Sequence, residues 1–297
     1  MPHHRNAVPT MATRHLALLA ACMMMAGCSS ALFGVLNVTD GADRVEPVRS
    51  VVYDSRHGLE LDVHRPQAAA DGAPMVVYFF GGSWQNGSRE RYAFVGKALA
   101  ERGVVAVLPD YRLYPEVKFP AFMEDAAKVV AWARANAREL GADPQRIFLM
   151  GHSAGAHMVG LLATDAQYLA AVDMQPADLA GVIGLAGPYD VRPEGYPDLE
   201  ALFGPRERWP LARAVEFIDG SEPPFLLLHG RGDNTVWAKH SELMAQRLRA
   251  AGVEAQLELY PEVGHVRILM ALRFPNLAPV LDDSMEFIGE RRVRAAD

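Results

Sequence analysis

Short, unbroken apolar runs alternate with amphipathic helical stripes along most of the chain, and this alternation constrains the fold most strongly. Residues 75–80 (MVVYFF), 104–108 (VVAVL) and 147–150 (IFLM) are apolar throughout, which is typical of strands covered on both faces. Apolar residues spaced three or four apart run through 122–137 and indicate a helix. Strands alternating with helices predict an α/β fold, a mostly parallel central sheet with helices on both faces.

The chain ahead of these runs predicts a different start to the sheet. Residues 51–53 and 59–63 are expected to be strands with no helix between them, hence an antiparallel pair. Apolar and polar residues alternate in 59–63 (LELDV), as in a half-exposed edge strand. Later strands are expected at 182–186, 225–228 and 255–260, and later helices at 154–163, 238–250 and 280–290.

One stretch does not fit the alternation. Residues 191–224 hold six of the 20 prolines and show no clear period, which predicts a surface insertion and a short candidate cap. No shift in composition marks a second domain. We therefore expect one domain over residues 46–297, joined through a linker (28–45) to an N-terminal leader (1–27).

Charge and cysteine content exclude several classes of function. The formal net charge is −7, which disfavours a nucleic-acid partner because such a partner requires a basic surface. The two cysteines are Cys22 and Cys28, so residues 29–297 offer no thiol nucleophile, no thiolate metal site and no disulfide.

The first 27 residues have the pattern of an export signal. Arg5 and Arg14 precede an apolar stretch at 16–27 (LALLAACMMMAG), which is shorter than the roughly 20 residues that a membrane-spanning helix needs. The stretch ends in MAGCS (25–29), which resembles the bacterial lipobox, with methionine where leucine is usual. This resemblance implies that Cys28 is lipidated and becomes the new N-terminus.

The predicted location of the protein follows from that resemblance. We expect export to the bacterial cell envelope, with the membrane contacted through a lipid anchor on Cys28. Serine rather than aspartate follows Cys28, and this resemblance favours the outer membrane. The alternatives are an uncleaved anchor, since apolar residues resume over 31–38, or simple secretion.

A serine stands where a buried strand is expected to turn into a helix. The sequence GHSAG at 151–155 is a G-x-S-x-G motif placed between the predicted strand 147–150 and the predicted helix 154–163. A strained turn there projects the Ser153 hydroxyl clear of the sheet, and the helix N-terminus favours developing negative charge. We expect Ser153 to be a catalytic nucleophile; the alternative is a glycine-rich structural turn.

A serine nucleophile needs a base and an acid that orients the base. In strand–turn–helix serine sites both follow the serine along the chain, the acid first. Asp233 and His265 directly follow the last two predicted strands in that order, so they are the expected acid and base. Asp190 and Asp219 are the rival acids. His152, beside the nucleophile, is expected to pack rather than to react.

The third requirement is a pair of donors for a tetrahedral oxyanion. The loop FGGSW at 80–84 follows the predicted strand 75–80, and its glycines allow backbone N–H groups to face a substrate. Gly82, Ser83 and Ala154 are the expected donors, with Trp84 packed under the loop. The alternative is a plain glycine turn.

Together these motifs resemble the α/β-hydrolase superfamily, in its hormone-sensitive-lipase-like and carboxylesterase groups, over residues 75–265. Further patterns common in these esterases stand at 110–113 (DYRL), 119–120, 124–125 and 143–147 (DPQRI). The hormone-sensitive-lipase pattern is H-G-G-G, whereas this chain has Phe80 and Ser83 at the first and last positions. The loop is more similar to that of BD-FAE-like esterases and prenylcysteine methylesterases, G-G-A-W, whose serine motif continues S-A-G-A-H as residues 153–157 do.

The resemblance implies an α/β-hydrolase fold and a serine carboxylesterase acting on small-molecule esters of short acyl chains, without metal or cofactor. Export separates the chain from prenylcysteine, so that substrate is not carried over. An amidase, arylformamidase or peptidase-like hydrolase on the same scaffold is the first alternative. A non-catalytic binding module is the second, although such modules usually lack a member of the triad.

Overall fold

The computed structural model of the protein describes residues 33–34, 36–37, 44–68 and 72–294, the last four through their backbone alone. The chain divides into two compact units, Met1–Thr39 and Asp40–Asp297. The described residues of the first unit are helical. The predicted signal peptide and Cys28 lie outside the described residues. Among the residues described, no helix combines the length and the apolar character that crossing a membrane requires.

The second unit is built on a single twisted layer of strands. Over its described residues the sheet has eight strands, in the spatial order β1-β2-β4-β3-β5-β6-β7-β8. β2 pairs antiparallel with β1 and β4, and the remaining neighbours are parallel. The strands are β1 (Arg49–Asp54), β2 (Leu59–His64), β3 (Ala73–Phe79), β4 (Val105–Pro109), β5 (Ala142–His152), β6 (Gly181–Leu185), β7 (Phe225–Gly230) and β8 (Ala255–Tyr260).

Helices connect the parallel strands, as the alternation of the sequence predicts, and the expected α/β class is confirmed. The α-helices are α1 (Ala93–Ala100), α2 (Ala121–Asn136), α3 (Ala154–Thr164), α4 (Gln167–Ala170), α5 (Pro197–Phe203), α6 (Lys239–Ala250), α7 (His265–Met270) and α8 (Val280–Arg294). Three 3₁₀ segments lie at Pro176–Asp178, Arg206–Ala212 and Ala214–Glu216. The core lies between the sheet and these helices: β3 to β7 are almost entirely buried.

β2 is not the edge strand that its alternating sequence suggests; β1 is at the edge. The Asp62 carboxylate is buried rather than solvated, and it accepts a hydrogen bond from Arg89 Nε at 3.0 Å. The same guanidinium pairs with Asp110, in the loop after β4, and with Glu60. The alternating polar residues of β2 are therefore binding partners of Arg89. The sequence pattern predicts that they face solvent, and that prediction is wrong.

The domain begins before the predicted boundary at residue 46. Val45 bridges Pro66, and the Gln67 N–H donates to the Arg44 carbonyl at 2.8 Å. These backbone pairs attach the end of the predicted linker to the chain after β2, which is why residues 44 and 45 belong to the compact unit.

The predicted insertion at 191–224 lies between β6 and β7 and includes α5 and two 3₁₀ segments. Leu202 and Phe203 of α5 are buried, and the Ala212 carbonyl accepts a hydrogen bond from His157 Nε2 at 2.7 Å. The insertion therefore packs on the domain through its own apolar residues and is bound to the start of α3. Its role as a cap stays a prediction.

The strand order places a topological switch point at the carboxyl ends of β3 and β5. The chain passes from β3 to β4 on one side and returns to β5 on the other side of β3. At such a switch point the loops leaving the carboxyl ends of two neighbouring strands separate, and ligands bind between them in open α/β sheets. The loop 80–84 leaves β3 and residues 153–154 leave β5, so both sequence motifs meet there.

His64, at the end of β2, makes the stability of the fold sensitive to acid. Its ring is fully buried against α1, where a Cβ on Gly96 would lie 2.3 Å from it. Burial lowers the pKa of His64 from 6.5 to about 4, against the opposing effect of Asp62 and with the help of Lys97. The unfolded chain thus takes up a proton below pH 6.5 that the folded protein rejects, so stability falls as the pH drops from 6.5 to 4.

We predict that His64→Leu weakens this dependence. At about 1.4 kcal/mol per pKa unit, His64 accounts for about 2 kcal/mol of the free energy of unfolding lost between pH 7 and pH 5. Urea unfolding of wild type and variant at both pH values measures the difference, and any general effect of the substitution cancels in it. Equal losses in the two proteins would show that His64 is not the titrating group.

Candidate active site

Ser153 lies on a strained turn between β5 and α3. Its φ is 55° and its ψ is −118°, a conformation that a residue with a Cβ rarely adopts. The Ser153 N–H donates to the Leu185 carbonyl of β6 at 2.9 Å, and the Ser153 carbonyl accepts from the His157 N–H at 3.0 Å. These bonds hold the turn in place and leave the side chain free of the sheet.

The two glycines of the serine motif are needed for close approach. A Cβ on Gly155 would lie 2.0 Å from the Phe79 carbonyl oxygen of β3, and a Cβ on Gly151 would lie 2.4 Å from the Gly155 backbone. Both distances are far below van der Waals contact, so only glycine lets the start of α3 pack against the ends of β3 and β5. The spacing G-x-S-x-G follows from this contact.

The loops after β7 and β8 bring an acid and a base to the same place. A Cβ on Gly230 would lie 1.9 Å from the Val263 carbonyl oxygen, and the Gly232 N–H donates to that oxygen at 3.1 Å. This contact packs the Asp233 loop directly against the loop that leads into His265.

The structure brings together the three residues that the sequence predicts. His265 Nε2 lies 2.8 Å from Ser153 Oγ, and His265 Nδ1 lies 2.7 Å from Asp233 Oδ2. The rival acids lie elsewhere: Asp190 is paired with Arg192 and Arg213.

Asp219, the other rival acid, is exposed and accepts a hydrogen bond from the Ser221 hydroxyl at 2.7 Å. Neither rival is a hydrogen-bond partner of His265. The chain of hydrogen bonds from hydroxyl to imidazole to carboxylate therefore runs through Asp233, as expected.

Asp233 is held as a carboxylate. Burial raises the pKa of this group, but hydrogen bonds from His229 and then His265 lower the pKa by more, to well below its usual range. The N–H groups of Thr235 and Val236 add donors to Oδ1 at 2.8 and 2.9 Å. The ionised acid accepts a hydrogen bond from the Nδ1–H group of His265, which leaves Nε2 free to accept a proton from Ser153.

The loop after β3 has the shape of a donor cradle. Gly82, Ser83 and Trp84 have φ values of 130°, 55° and 58°, so the chain bends back sharply. A Cβ on Gly82 would lie 1.9 Å from the Asn86 carbonyl oxygen. Among the turn and loop backbone hydrogen bonds of the described residues, none takes its donor from Gly82 or Ser83. Ala154 is the first residue of α3, a position whose N–H has no partner within a helix. The assignment of these three N–H groups as oxyanion donors stays a prediction.

Trp84 packs beneath the loop, as predicted, and joins it to its surroundings. The indole is buried, and its ring centroid lies 5.1 Å from that of His157 on α3 and 5.1 Å from that of Phe203 in the insertion. The nucleophile helix, the donor loop and the insertion therefore share one aromatic cluster.

Two tyrosines that the sequence reasoning did not single out fix the donor loop. The Tyr111 hydroxyl donates to the Phe80 carbonyl at 2.8 Å, and the Tyr92 hydroxyl donates to the Gly81 carbonyl at 3.3 Å. The Phe80 ring stacks on both tyrosines, with centroids 4.4 and 5.5 Å apart. Tyr111 belongs to the DYRL pattern at 110–113, and that position after β4 was the available signal.

His152 packs against the base, as expected, and also positions it. Its Nε2 donates to the His265 carbonyl at 2.9 Å, and the two rings lie 4.8 Å apart. Burial, followed by repulsion from His265, lowers the pKa of His152 to about 3, so this ring is neutral and leaves the proton transfer to its neighbour. A Cβ on Gly81 would lie 2.9 Å from His152 Nδ1, so glycine is required here too.

One group of side chains has metal-ligand spacing among the described residues: Asp54, His57 and Asp125. Cations of the protein already pair with both carboxylates. Arg112 binds Asp125 with two nitrogens, and Lys128 Nζ lies 2.6 Å from Asp54. The group acts as an ion-pair network that joins β1 to α2, so its chemistry favours no metal.

Comparison with known proteins finds esterases among the relatives of this chain. Residues 61–248 match the family model BD-FAE. Esterase LipC of Mycobacterium tuberculosis is 32% identical over 239 residues, 73% of this chain and 59% of LipC. Isoprenylcysteine alpha-carbonyl methylesterase ICME of Arabidopsis thaliana is 27% identical over 248 residues, 75% of this chain and 57% of ICME. The chain thus spans less than two thirds of the length of these relatives.

Solved structures agree with the sequence relatives. Est2, a thermophilic esterase of Thermogutta terrifontis, superposes with a TM-score of 0.69 at 26% identity, covering 82% of this chain and 92% of Est2. The structure of Thermogutta terrifontis esterase 2 phosphoramylated by tabun superposes with a TM-score of 0.70 at 25% identity, and the match covers 84% of this chain and 98% of that esterase. The predicted α/β-hydrolase fold is confirmed by these likenesses.

Proposed function

The chain belongs to the BD-FAE family, and from this membership and the geometry of the site we propose that it is a serine carboxylesterase acting on small-molecule carboxylic esters. The observation that carries the proposal is the hydrogen-bond chain Ser153–His265–Asp233, with separations of 2.8 and 2.7 Å. The reaction of Thermogutta terrifontis esterase 2 with tabun supports an activated nucleophile in this fold.

Acylation begins at the hydroxyl. Ser153 Oγ attacks the ester carbonyl carbon while its proton passes to His265 Nε2. Asp233 accepts the Nδ1–H bond, fixes the tautomer that can receive the proton, and stabilises the imidazolium that forms. The ring of His152 holds the backbone of His265, so the base stays within hydrogen-bond distance of Oγ.

The carbonyl oxygen becomes an oxyanion as the tetrahedral intermediate forms. The N–H groups of Gly82, Ser83 and Ala154 donate to it, and the positive end of the α3 dipole lies beside it. Because Tyr92 and Tyr111 fix the carbonyls of the loop, these donors need little rearrangement during the reaction. Collapse of the intermediate sends the imidazolium proton to the leaving alcohol.

Water completes the cycle. His265 Nε2 takes a proton from a water molecule that attacks the acyl-serine, and a second tetrahedral intermediate forms in the same donor cradle. The proton then returns to Ser153 Oγ as the bond from Oγ to the acyl carbon breaks, and the carboxylic acid leaves and ionises in water. Each step uses side chains and backbone groups of this chain alone.

We predict that Ser153→Ala and His265→Ala each lower kcat for p-nitrophenyl butyrate by about 10⁶-fold, because the residues act as a unit. Asp233→Asn is expected to cost about 10⁴-fold through loss of the correct tautomer. A fluorophosphonate probe, followed by intact mass, should label wild type at one site and leave Ser153→Ala unlabelled.

Asp190→Asn is the matched control and should retain activity. A larger loss of activity in Asp190→Asn than in Asp233→Asn would show that the acid is wrongly assigned.

A p-nitroanilide with the same acyl group tests the amidase alternative. Faster turnover of the anilide than of the ester would contradict an esterase.

We propose further that the acyl group is short. The insertion places the Phe203 ring against Trp84, and the centroid of the Phe119 ring lies 5.5 Å from that of Phe203. These rings are buried next to the donor loop, and the proposal places the acyl chain of a bound ester on this side of the loop. A long chain would have to displace them.

The expected result in a panel of p-nitrophenyl esters is higher kcat/KM for acetate to hexanoate than for laurate to palmitate. Phe203→Leu removes a ring from the cluster of Trp84, Phe203 and Phe119. This variant should raise kcat/KM for p-nitrophenyl octanoate relative to that for p-nitrophenyl butyrate. Phe287→Leu is the matched control, since Phe287 is equally buried but packs on Phe148. Preference of the wild type for the long esters, or an equal change in both variants, would contradict the short acyl site.

We also propose that the enzyme is exported and anchored to the bacterial envelope, in the outer membrane, through lipid on Cys28. Support comes from the sequence alone: Arg14, the apolar stretch 16–27 and the small residues Ala26 and Gly27 ahead of the cysteine. Two or more acyl chains give a stable anchor, whereas one chain binds marginally.

For the anchor we predict that Cys28→Ser accumulates as an unprocessed precursor that incorporates no labelled palmitate, because the modified thiol is missing. Cys22→Ser, which changes the other cysteine, should be processed and labelled like wild type and should sediment with outer-membrane fractions. Labelling of Cys28→Ser, or a mature N-terminus at another residue of the wild type, would exclude the lipoprotein.

A further inference from the structure

A second histidine lies beside the Asp233 carboxylate. His229, near the end of β7, is fully buried, and its Nε2 lies 2.8 Å from the Val236 carbonyl and 3.4 Å from Asp233 Oδ2. Its Nδ1 lies 2.7 Å from the hydroxyl of Ser241 on α6. Both ring nitrogens are therefore bound, and one of them faces the acid that the mechanism uses.

These partners determine the tautomer of the ring. A carbonyl oxygen can only accept, so Nε2 must carry the hydrogen that reaches Val236. In the neutral ring Nδ1 is then a lone-pair acceptor, and the Ser241 hydroxyl must be its donor. The Nε2–H bond points mainly at the Val236 carbonyl and has Asp233 Oδ2 as a second, more distant acceptor.

Val236 belongs to the turn that wraps the acid. Its N–H donates to Asp233 Oδ1 at 2.9 Å, while its carbonyl accepts from His229. The His229 ring thus binds the far end of the turn whose near end is Asp233. A movement of that ring would shift the carboxylate relative to His265.

We propose that His229 and Ser241 are positioning residues for the acid of the proposed esterase site. The Val236 carbonyl requires the Nε2–H tautomer of His229, and the Ser241 hydroxyl, which donates to Nδ1, holds the ring in the orientation that meets this carbonyl. The ring in turn fixes the 233–236 turn and directs a donor at the carboxylate. Neither residue contacts the reacting atoms; they act through Asp233. The proposal rests on the proposed function because it assigns Asp233 as the orienting acid.

The alternative tautomer does not fit the acceptors at Nε2. With hydrogen on Nδ1, the Nε2 lone pair would face both the Val236 carbonyl and the Asp233 carboxylate, and three acceptors would then confront one another. The titratable groups around the acid are His229, His265 and, behind His265, His152. If the His229 donor is lost, His265 is the remaining histidine that donates a hydrogen bond to the Asp233 carboxylate.

Steady-state kinetics of Ser241→Ala test the proposal. We expect kcat to fall roughly 10-fold, within the up to about 10²-fold that a misplaced catalytic group costs, with KM little changed. The acid limb of the kcat/KM profile should move to lower pH, since a less firmly held carboxylate stabilises the imidazolium less. His229→Gln, which keeps an N–H donor near the position of Nε2, should retain more activity than His229→Leu.

Ser284→Ala is the matched control. Ser284 is also a buried helical serine, but its hydroxyl donates to the Val280 carbonyl of its own helix at 2.6 Å. This variant loses an equivalent hydroxyl and should leave kcat and the pH profile unchanged. Equal effects in Ser241→Ala and Ser284→Ala, or an unchanged pH profile in Ser241→Ala, would overturn the proposal.

Nitrogen-15 histidine NMR gives a readout that does not require turnover. Wild type should show His229 as the Nε2–H tautomer and a low-field proton for the His265–Asp233 bond, and that proton should shift in Ser241→Ala alone. An Nδ1–H tautomer at His229, or an unmoved low-field proton, would reject the proposal. If wild type shows these signals but hydrolyses no ester, the proposed function fails while the positioning role stands.

Discussion

The close contact between the start of α3 and the ends of β3 and β5 is the constraint on which the site depends. Gly155 lies so near the Phe79 carbonyl that a Cβ would reach within 2.0 Å of it. This contact holds Ser153 at φ 55° at the switch point of the sheet, beside the donor loop. The strain is local, and the surrounding sheet, with β5 paired on both sides, supplies the rigidity that maintains it.

Three buried histidines near the carboxyl ends of the strands each bind a backbone carbonyl of another segment. His152, His157 and His229 each place a ring nitrogen 2.7 to 2.9 Å from a backbone carbonyl of a different segment, namely that of His265, Ala212 or Val236. A neutral ring that carries one hydrogen is sufficient for such a bond. Burial lowers the pKa of His152 to about 3 and that of His157 to about 4, which keeps these two rings neutral. His265 differs because a carboxylate and a hydroxyl face its two nitrogens.

Local sequence was enough to predict the elements and the main residues of the site. Apolar runs and glycine spacing are direct consequences of buried strands and close backbone contacts, so Ser153 and the strands around it could be read without a structure. The contacts that support the site could not be predicted from local sequence, because they join residues far apart in the chain. The bonds of Tyr111 to Phe80 and of His152 to His265 join residues 31 and 113 positions apart, and β2 was misplaced because its alternation reflects pairing with Arg89 rather than solvent.

The aromatic cluster under the donor loop couples the chemistry to the insertion. Trp84 contributes its backbone to the loop and its ring to contacts with His157 and Phe203. The insertion therefore contacts the donor loop through the Trp84 indole, and it contacts α3 separately through the His157–Ala212 hydrogen bond. In the proposed esterase, substrate selection and oxyanion binding would be adjusted together by residues of the insertion, while the hydrogen-bond chain stays fixed by the sheet.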